Sequence, residues 1–174
     1  MHPLQQRLFI CGFDERAKYQ SRRISHLVTV ANPSADASRP TWFHGPHLNL
    51  RFGDVTSEAD AKRCRTTAPS LNDIQRAMSF FREAWSGSDS RILVSCDYGA
   101  SRSPALAYLF ATDHLGQGRE VEAFSLILDI RPVAVPNGLV VRLGDAFLKR
   151  DGALLVPLKD LYAKINAQLF PKAV

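Results

Sequence analysis

The chain is poor in cysteine, and it contains no apolar run approaching the roughly 20 residues that a membrane-spanning helix needs. Cys11, Cys64 and Cys96 are its three cysteines, an odd and small set that argues against a disulfide framework and fits a reducing compartment. No C-x-x-C pair occurs. The five histidines are poorly arranged for a metal, because Gly45-Pro46 between His44 and His47 cannot keep a helical face. Neither a metal nor a cofactor is expected. The first residues, Met1 to Arg7, lack a basic stretch leading into an apolar segment and a small-residue cleavage site, so a secretory signal is not supported and a cytoplasmic protein is expected. Internal repeats and low-complexity linkers are also missing, which predicts one domain across residues 1–174.

What is present is the make-up of a soluble domain with a core: 174 residues, 45% hydrophobic and 22% charged. The 22 basic and 17 acidic side chains leave a net charge of +5. That balance suits an anionic ligand, but sign alone decides little. Arg22-Arg23 and Arg63/Arg65 are scattered and read as solvated surface, so no nucleic-acid partner and no membrane partner are expected.

Four short apolar or alternating runs read as strands: Leu8 to Phe13, His26 to Val30, His47 to Phe52 and Arg91 to Cys96. Ile74, Ala77, Met78, Phe81 and Ala84-Trp85 recur at helical spacing after a helix start around Pro69 to Asp73. Beyond Cys96 helices take over. One opens at Ser103-Pro104, with Pro at its first position, and ends near Gly116; a second covers Arg119 to Ile130. A third is capped by Asn137 and runs from about Leu139 to Lys149, and a fourth spans Leu154 to Leu169 with an interruption at Pro157. Arg39-Pro40 and the polar stretch Thr56 to Ala68 are expected to be mobile loops. This order predicts an α/β fold, with a central, mainly parallel sheet of four to five strands, flanking helices and a helical C-terminal half.

The chemically informative segment is Val94-Ser95-Cys96-Asp97-Tyr98-Gly99-Ala100-Ser101-Arg102-Ser103-Pro104. A cysteine ends a strand, a glycine-bearing loop follows, and Arg-Ser stands at the entrance to a helix. Backbone N–H groups of such a loop converge on an anion, and the helix dipole adds partial positive charge. The same field favours the thiolate of Cys96, a nucleophile, and Arg102 can grip two phosphate oxygens through its planar fork. Spacing alone is weak evidence: with the three cysteines and sixteen arginines of this chain, a Cys-x5-Arg pattern arises by chance with a probability of about 0.28. The strand before the loop and the helix after it raise its weight. Cys11, inside an apolar strand, reads as a small buried hydrophobe.

Cys96-x5-Arg102-Ser103 resembles the phosphate-binding loop of the cysteine-dependent protein tyrosine phosphatases, especially the small dual-specificity and bacterial branches. Arg131-Pro132 with Pro136-Asn137 is similar to a segment of that branch lying after the second helix beyond the loop. Leu50-Arg51-Phe52-Gly53-Asp54, Leu143-Gly144-Asp145 and Leu148-Lys149-Arg150-Asp151-Gly152 resemble bacterial members, so the likeness covers roughly residues 8–152. The resemblance implies a phosphotyrosine protein phosphatase-like fold and a reaction through a phosphocysteine on Cys96, on a phosphorylated protein substrate. It implies Arg102 as phosphate clamp, Asp97, Tyr98, Gly99, Ala100 and Ser101 as the phosphate-binding loop, and Ser103 as the hydroxyl that stabilises the departing thiolate.

A general acid must protonate the leaving oxygen. Asp54 matches the family's upstream Asp best, with Asp60 and Asp73 as rivals; Asp73 falls where a helix begins, a place favoured by the dipole. The family's usual His before the nucleophile is replaced by Ser95, and Arg131 is either a support behind the loop or a surface residue at a helix end. Acidic Asp97 disfavours substrates carrying several phosphates and so points to a phosphoprotein, for which phosphotyrosine is expected ahead of phosphoserine and phosphothreonine. Two alternatives stay open: a catalytically weak or silent phosphate-binding module, and another C-x5-R enzyme such as a sulfurtransferase.

Overall fold

The computed structural model describes residues 2–169; Met1 and residues 170–174, which the expected domain includes, lie outside it. Four strands form, β1 (Leu8–Gly12), β2 (His26–Ala31), β3 (His47–Arg51) and β4 (Ile92–Cys96). They make one sheet in the order β1-β4-β2-β3, and every pairing is parallel. Four is the lower of the expected strand numbers, and the parallel character holds throughout. Parallel strands need crossovers and covered faces, which is why β4, at the centre, is buried along its whole length.

Side chains of β4 alternate between two unequal layers. Ile92, Val94 and Cys96 belong to the main core, with the helices; Leu93 joins a smaller cluster with Cys11, Leu27 and Phe43 on the opposite face. That second face is covered by a 3₁₀ segment, Phe13–Arg22, and by the Trp42-Phe43 turn. Neither the 3₁₀ segment nor the short helix α1 (Pro3–Arg7) is foreshadowed by apolar periodicity, because the 3₁₀ segment buries no residue fully and α1 buries only Leu4.

On the main face lie α3 (Leu71–Trp85), α4 (Arg102–Leu115), α5 (Glu120–Ile130), α6 (Gly138–Leu148) and α7 (Leu155–Leu169). Helix α3 buries the predicted stripe Ile74, Ala77, Met78, Phe81 and Ala84, and each large apolar side chain removed from water there stabilises the fold by about 1.5–3 kcal/mol. Helix α4 is apolar almost all round and buried from Arg102 to Thr112, as befits an element surrounded by others. Its N-terminus is therefore fixed by the whole core.

Three expectations need correction. Arg102 and Ser103 are the first two residues of α4, so Pro104 takes the third place rather than the first; a first-turn proline still sacrifices no intrahelical bond. Pro157 likewise falls in the first turn of α7 and does not interrupt it. The stretch Thr56 to Ala68 is not simply a loop, since it contains α2 (Glu58–Arg63), capped by the Ser57 hydroxyl and anchored by buried Ala61 against Val55 and Ala68.

The Leu-Gly-Asp and Arg-Asp-Gly motifs turn out to build this frame. A Cβ on Gly144 would fall 2.2 Å from the Leu109 side chain, so any larger residue would have to push Leu109 aside where α6 packs on α4. Asp145 accepts from the N–H groups of Gly152 and Leu154, at 2.7 and 3.0 Å, and thereby shapes the turn leading into α7.

Candidate active site

The loop between β4 and α4 has all five of its carbonyls, from Asp97 to Ser101, tied to groups outside it. Phe13 N–H donates to Asp97 O, Arg131 Nη2 to Tyr98 O and Arg131 Nε to Gly99 O, while Val135 and Asn137 N–H donate to Ala100 O and Ser101 O. In a trans peptide the N–H points opposite to the C=O. Five outward carbonyls therefore turn the N–H groups of residues 98–102 to the other side, toward a common centre, which is the geometry of an oxyanion nest.

Cys96 sits at the base of this loop, buried, and the Ser103 hydroxyl donates to its Sγ at 3.1 Å. Ser101 occupies the N-cap position of α4, yet its side chain makes no capping bond and donates to Asp54 instead, at 2.7 Å. The first-turn N–H groups of α4 are thus left without a side-chain cap and free to meet an anion. Gly99 is at φ 68°, and a Cβ there would stand 2.4 Å from the backbone of Cys11, so the loop can press against the end of β1 only with glycine at this position.

Arg102 is buried, with 2% of its surface exposed. Its Nη1 donates to Phe52 O at 2.9 Å and its Nη2 to Asp97 Oδ2 at 2.8 Å. Nε has no hydrogen-bond partner among the described residues; Asp54 Oδ2 is 3.9 Å away. Asp54 lies on the segment after β3, where Asn137 Nδ2 donates to its Oδ1 at 2.8 Å. Asn137 also caps α6, so one side chain couples the Asp54 segment to the helical layer.

The rival carboxylates serve elsewhere. Asp73 forms a capping box with Ser70 at the start of α3. Asp60 accepts from Thr56 and from Arg63 on α2, and the Thr56 and Ser57 hydrogen bonds, with Arg63 nearby, hold its carboxyl below the usual range. Of the three, only Asp54 borders the cleft above Arg102, a space of about 390 Å³ walled by residues 32–34, the turn 64–66, Asp97 and Tyr98. Ser95, where the resemblance leads one to expect His, is buried in β4 and its hydroxyl points at Val28 O, 3.4 Å away. Arg131 stands behind the loop, clamped by Glu15 at 2.8 Å; the hydrogen bond between them lowers the Glu15 pKa and raises that of Arg131. Asp97 as a partner of Arg102, Asn137 as a tether of Asp54, and Glu15 are the contributions that sequence reasoning did not assign. The Arg131–Asn137 segment was the one signal that pointed toward two of these contacts.

Solved structures share this architecture. DUSP15 superimposes with a TM-score of 0.63 at 17% identity, over 92% of this chain and 95% of that one. The fold is that of the cysteine-dependent tyrosine and dual-specificity phosphatases. Human DUSP28 gives 0.59 at 20% identity, over 84% and 94% of the two chains. The human tyrosine phosphatase-like serine/threonine/tyrosine-interacting protein gives 0.61 at 17%, over 80% and 89%. No protein-family model matches the chain, and no curated protein sequence matches it. Among the described residues no helix is long and apolar enough to cross a membrane, and no group of three or more metal-ligating side chains is found.

Proposed function

We propose that the chain is a cysteine-dependent protein phosphatase acting on phosphotyrosine, with phosphoserine and phosphothreonine as secondary substrates, in the cytoplasm. The observation that carries this reading is the outward turn of five consecutive carbonyls around Cys96, with Ser103 on its sulfur. A phosphate dianion placed in the nest meets backbone N–H groups, the α4 dipole and the Arg102 guanidinium, all of which stabilise charge on its equatorial oxygens.

Cys96 Sγ then attacks phosphorus and forms an S–P bond as the P–O bond to the substrate breaks. Asp54 delivers its proton to the departing oxygen. In the second step Asp54 takes a proton from water, the water oxygen bonds phosphorus, and the S–P bond breaks. Ser103 donates to the sulfur as thiolate character returns. Asp97 to Ser101 serve as the binding loop, and the cycle requires neither metal nor cofactor.

A silent phosphate-binding module is favoured by one observation, the engagement of Arg102 by the loop's own Asp97. Hydrolysis of a phosphotyrosine peptide and of a small aryl phosphate, with chelator present, separates the two. Turnover by wild type that disappears in Cys96→Ser and falls in Asp54→Ala supports the enzyme. A wild type inactive on both substrates, with Cys96→Ser still binding the phosphopeptide, replaces it with the binding module.

A further inference from the structure

Arg102 presents two edges. Nη1, on one, is held by Phe52 O. Nε and Nη2 lie along the other, the side on which a guanidinium takes two oxygens of a phosphate or carboxylate at once. In this chain that edge is half covered: Nη2 carries Asp97 Oδ2 at 2.8 Å, and Nε has no hydrogen-bond partner among the described residues, with Asp54 Oδ2 3.9 Å away. The Asp97 carboxylate is itself only partly exposed, at 30%, and Asn32 Nδ2 approaches the same Oδ2 at 3.4 Å. Asp97 is thus held in place from two sides, on the wall of the cleft.

Resting on the phosphatase reading, we infer that Asp97 is a specificity-determining residue, a tethered anion that holds Arg102 until a stronger oxyanion displaces it. Any ligand that needs Nη2 must break a charge-assisted bond and leave the Asp97 carboxylate to water or to Asn32. A dianionic phosphate monoester can do this, because it gains Nε and Nη2 together with the whole loop of N–H groups. Sulfate monoesters and phosphodiesters, which carry one negative charge, gain less from the same donors and face the same competitor. The carboxylate therefore rejects weak anions by competing for the site, a form of specificity that needs no contact with the rest of the substrate.

The test compares wild type with Asp97→Asn, which keeps the shape and removes the charge, and with Asp97→Ser, which removes the reach; thermal unfolding confirms that each is folded. Binding of inorganic phosphate and of an aryl sulfate monoester is read by protection of Cys96 against alkylation, independently of turnover. The KM of a small aryl phosphate is measured beside it. Phosphate should bind about tenfold more tightly to Asp97→Asn, the size expected for release of one charge-assisted bond in a partly exposed site. The aryl sulfate should begin to protect, and the KM of the aryl phosphate should fall by a larger factor than its kcat changes. Equal or weaker phosphate binding by both variants overturns the inference. Phosphate that protects neither wild type nor variant overturns it together with the anion-binding loop. Tighter binding in the variants without turnover by wild type leaves the inference standing and removes only the phosphatase reading.

Discussion

Two cysteines stand near the carboxyl ends of neighbouring parallel strands, and the fold gives them opposite chemistry. In the β1–β4 register Cys11 lies opposite Ser95, and Gly12 opposite Cys96. Cys11 points into the small apolar layer with Leu27, Phe43 and Leu93, where burial, with Glu15 nearby, pushes its thiol up to about 12. Cys96 points to the helical side, at the N-terminus of α4, with Ser103 on its sulfur and the nest of N–H groups above it. A one-residue offset on a pleated sheet is enough to separate a structural thiol from a candidate nucleophile.

Removing each of the two sulfurs in turn should produce the largest contrast. Cys96→Ser is expected to lower aryl phosphate turnover by at least about 10⁴-fold with little change in melting temperature, because the nucleophile is lost. Cys11→Ala should retain turnover and cost about 1–2 kcal/mol in urea unfolding, the price of a small cavity. Comparable losses of activity in both would refute the assignment. Gly99→Ala sharpens the comparison where the two strand ends touch. Its Cβ would collide with the Cys11 backbone, so the loop must move. Turnover should fall about 100-fold, as displacement of catalytic groups by about an ångström does. Gly118→Ala, also at positive φ but with nothing within 4 Å of the new Cβ, should keep activity and cost about 1 kcal/mol.

How much of this was legible beforehand follows the same division. The four strands and the buried stripe of α3 carry their own signal, the strands as short apolar or alternating runs and the helix as a period of three to four. The Cys96 loop was readable because its chemistry is local: nucleophile, glycine and arginine lie within seven consecutive residues. What stayed hidden is what depends on distant pairing. Arg131 reaches Tyr98 and Gly99 across more than thirty positions, and Glu15 reaches Arg131 across 116. Asp97 was readable as an acidic residue in the loop, but its bond to Arg102 depends on the turn of the backbone between them. Helix α2 and the 3₁₀ segment were missed because they lie on the surface and bury almost nothing. Their stability comes from caps and docking rather than from an apolar face.

Removing the support behind the loop should have a smaller effect than removing the nucleophile. Arg131→Met deletes the donors to Tyr98 O and Gly99 O, freeing two peptide planes to rotate. Inorganic phosphate affinity should drop about tenfold or more with the melting temperature changed by only a few degrees. Glu15→Gln, which keeps an acceptor for Gly12 N–H and for Arg131, should lose less. A purely structural role for Arg131 predicts the reverse, a large loss of stability with phosphate affinity intact.

The smallest effects belong to the dry side of the sheet, where burial acts on two groups in opposite directions. His47, hydrogen-bonded to Thr29, has its pKa lowered from 6.5 to about 4 by desolvation, with nearby arginines adding to the shift. Cys11 is raised from 9.0 to about 12. Both are kept neutral. For His47 the unfolded chain binds a proton below 6.5 that the folded chain refuses until about 4, so stability should fall as pH drops through that window. For Cys11 the unfolded chain releases a proton above 9 that the folded chain retains, so stability should fall as pH rises from 9 toward 12. Each slope is at most about 1.4 kcal/mol per pH unit, and less for His47, whose ring is partly exposed. Urea midpoints at pH 5, 7 and 10 should form a plateau with two shoulders. His47→Asn should flatten the acid shoulder alone and Cys11→Ala the alkaline one alone. A single variant that flattened both would mean that the two groups titrate as one unit, and the separation between the dry face and the loop would have to be redrawn.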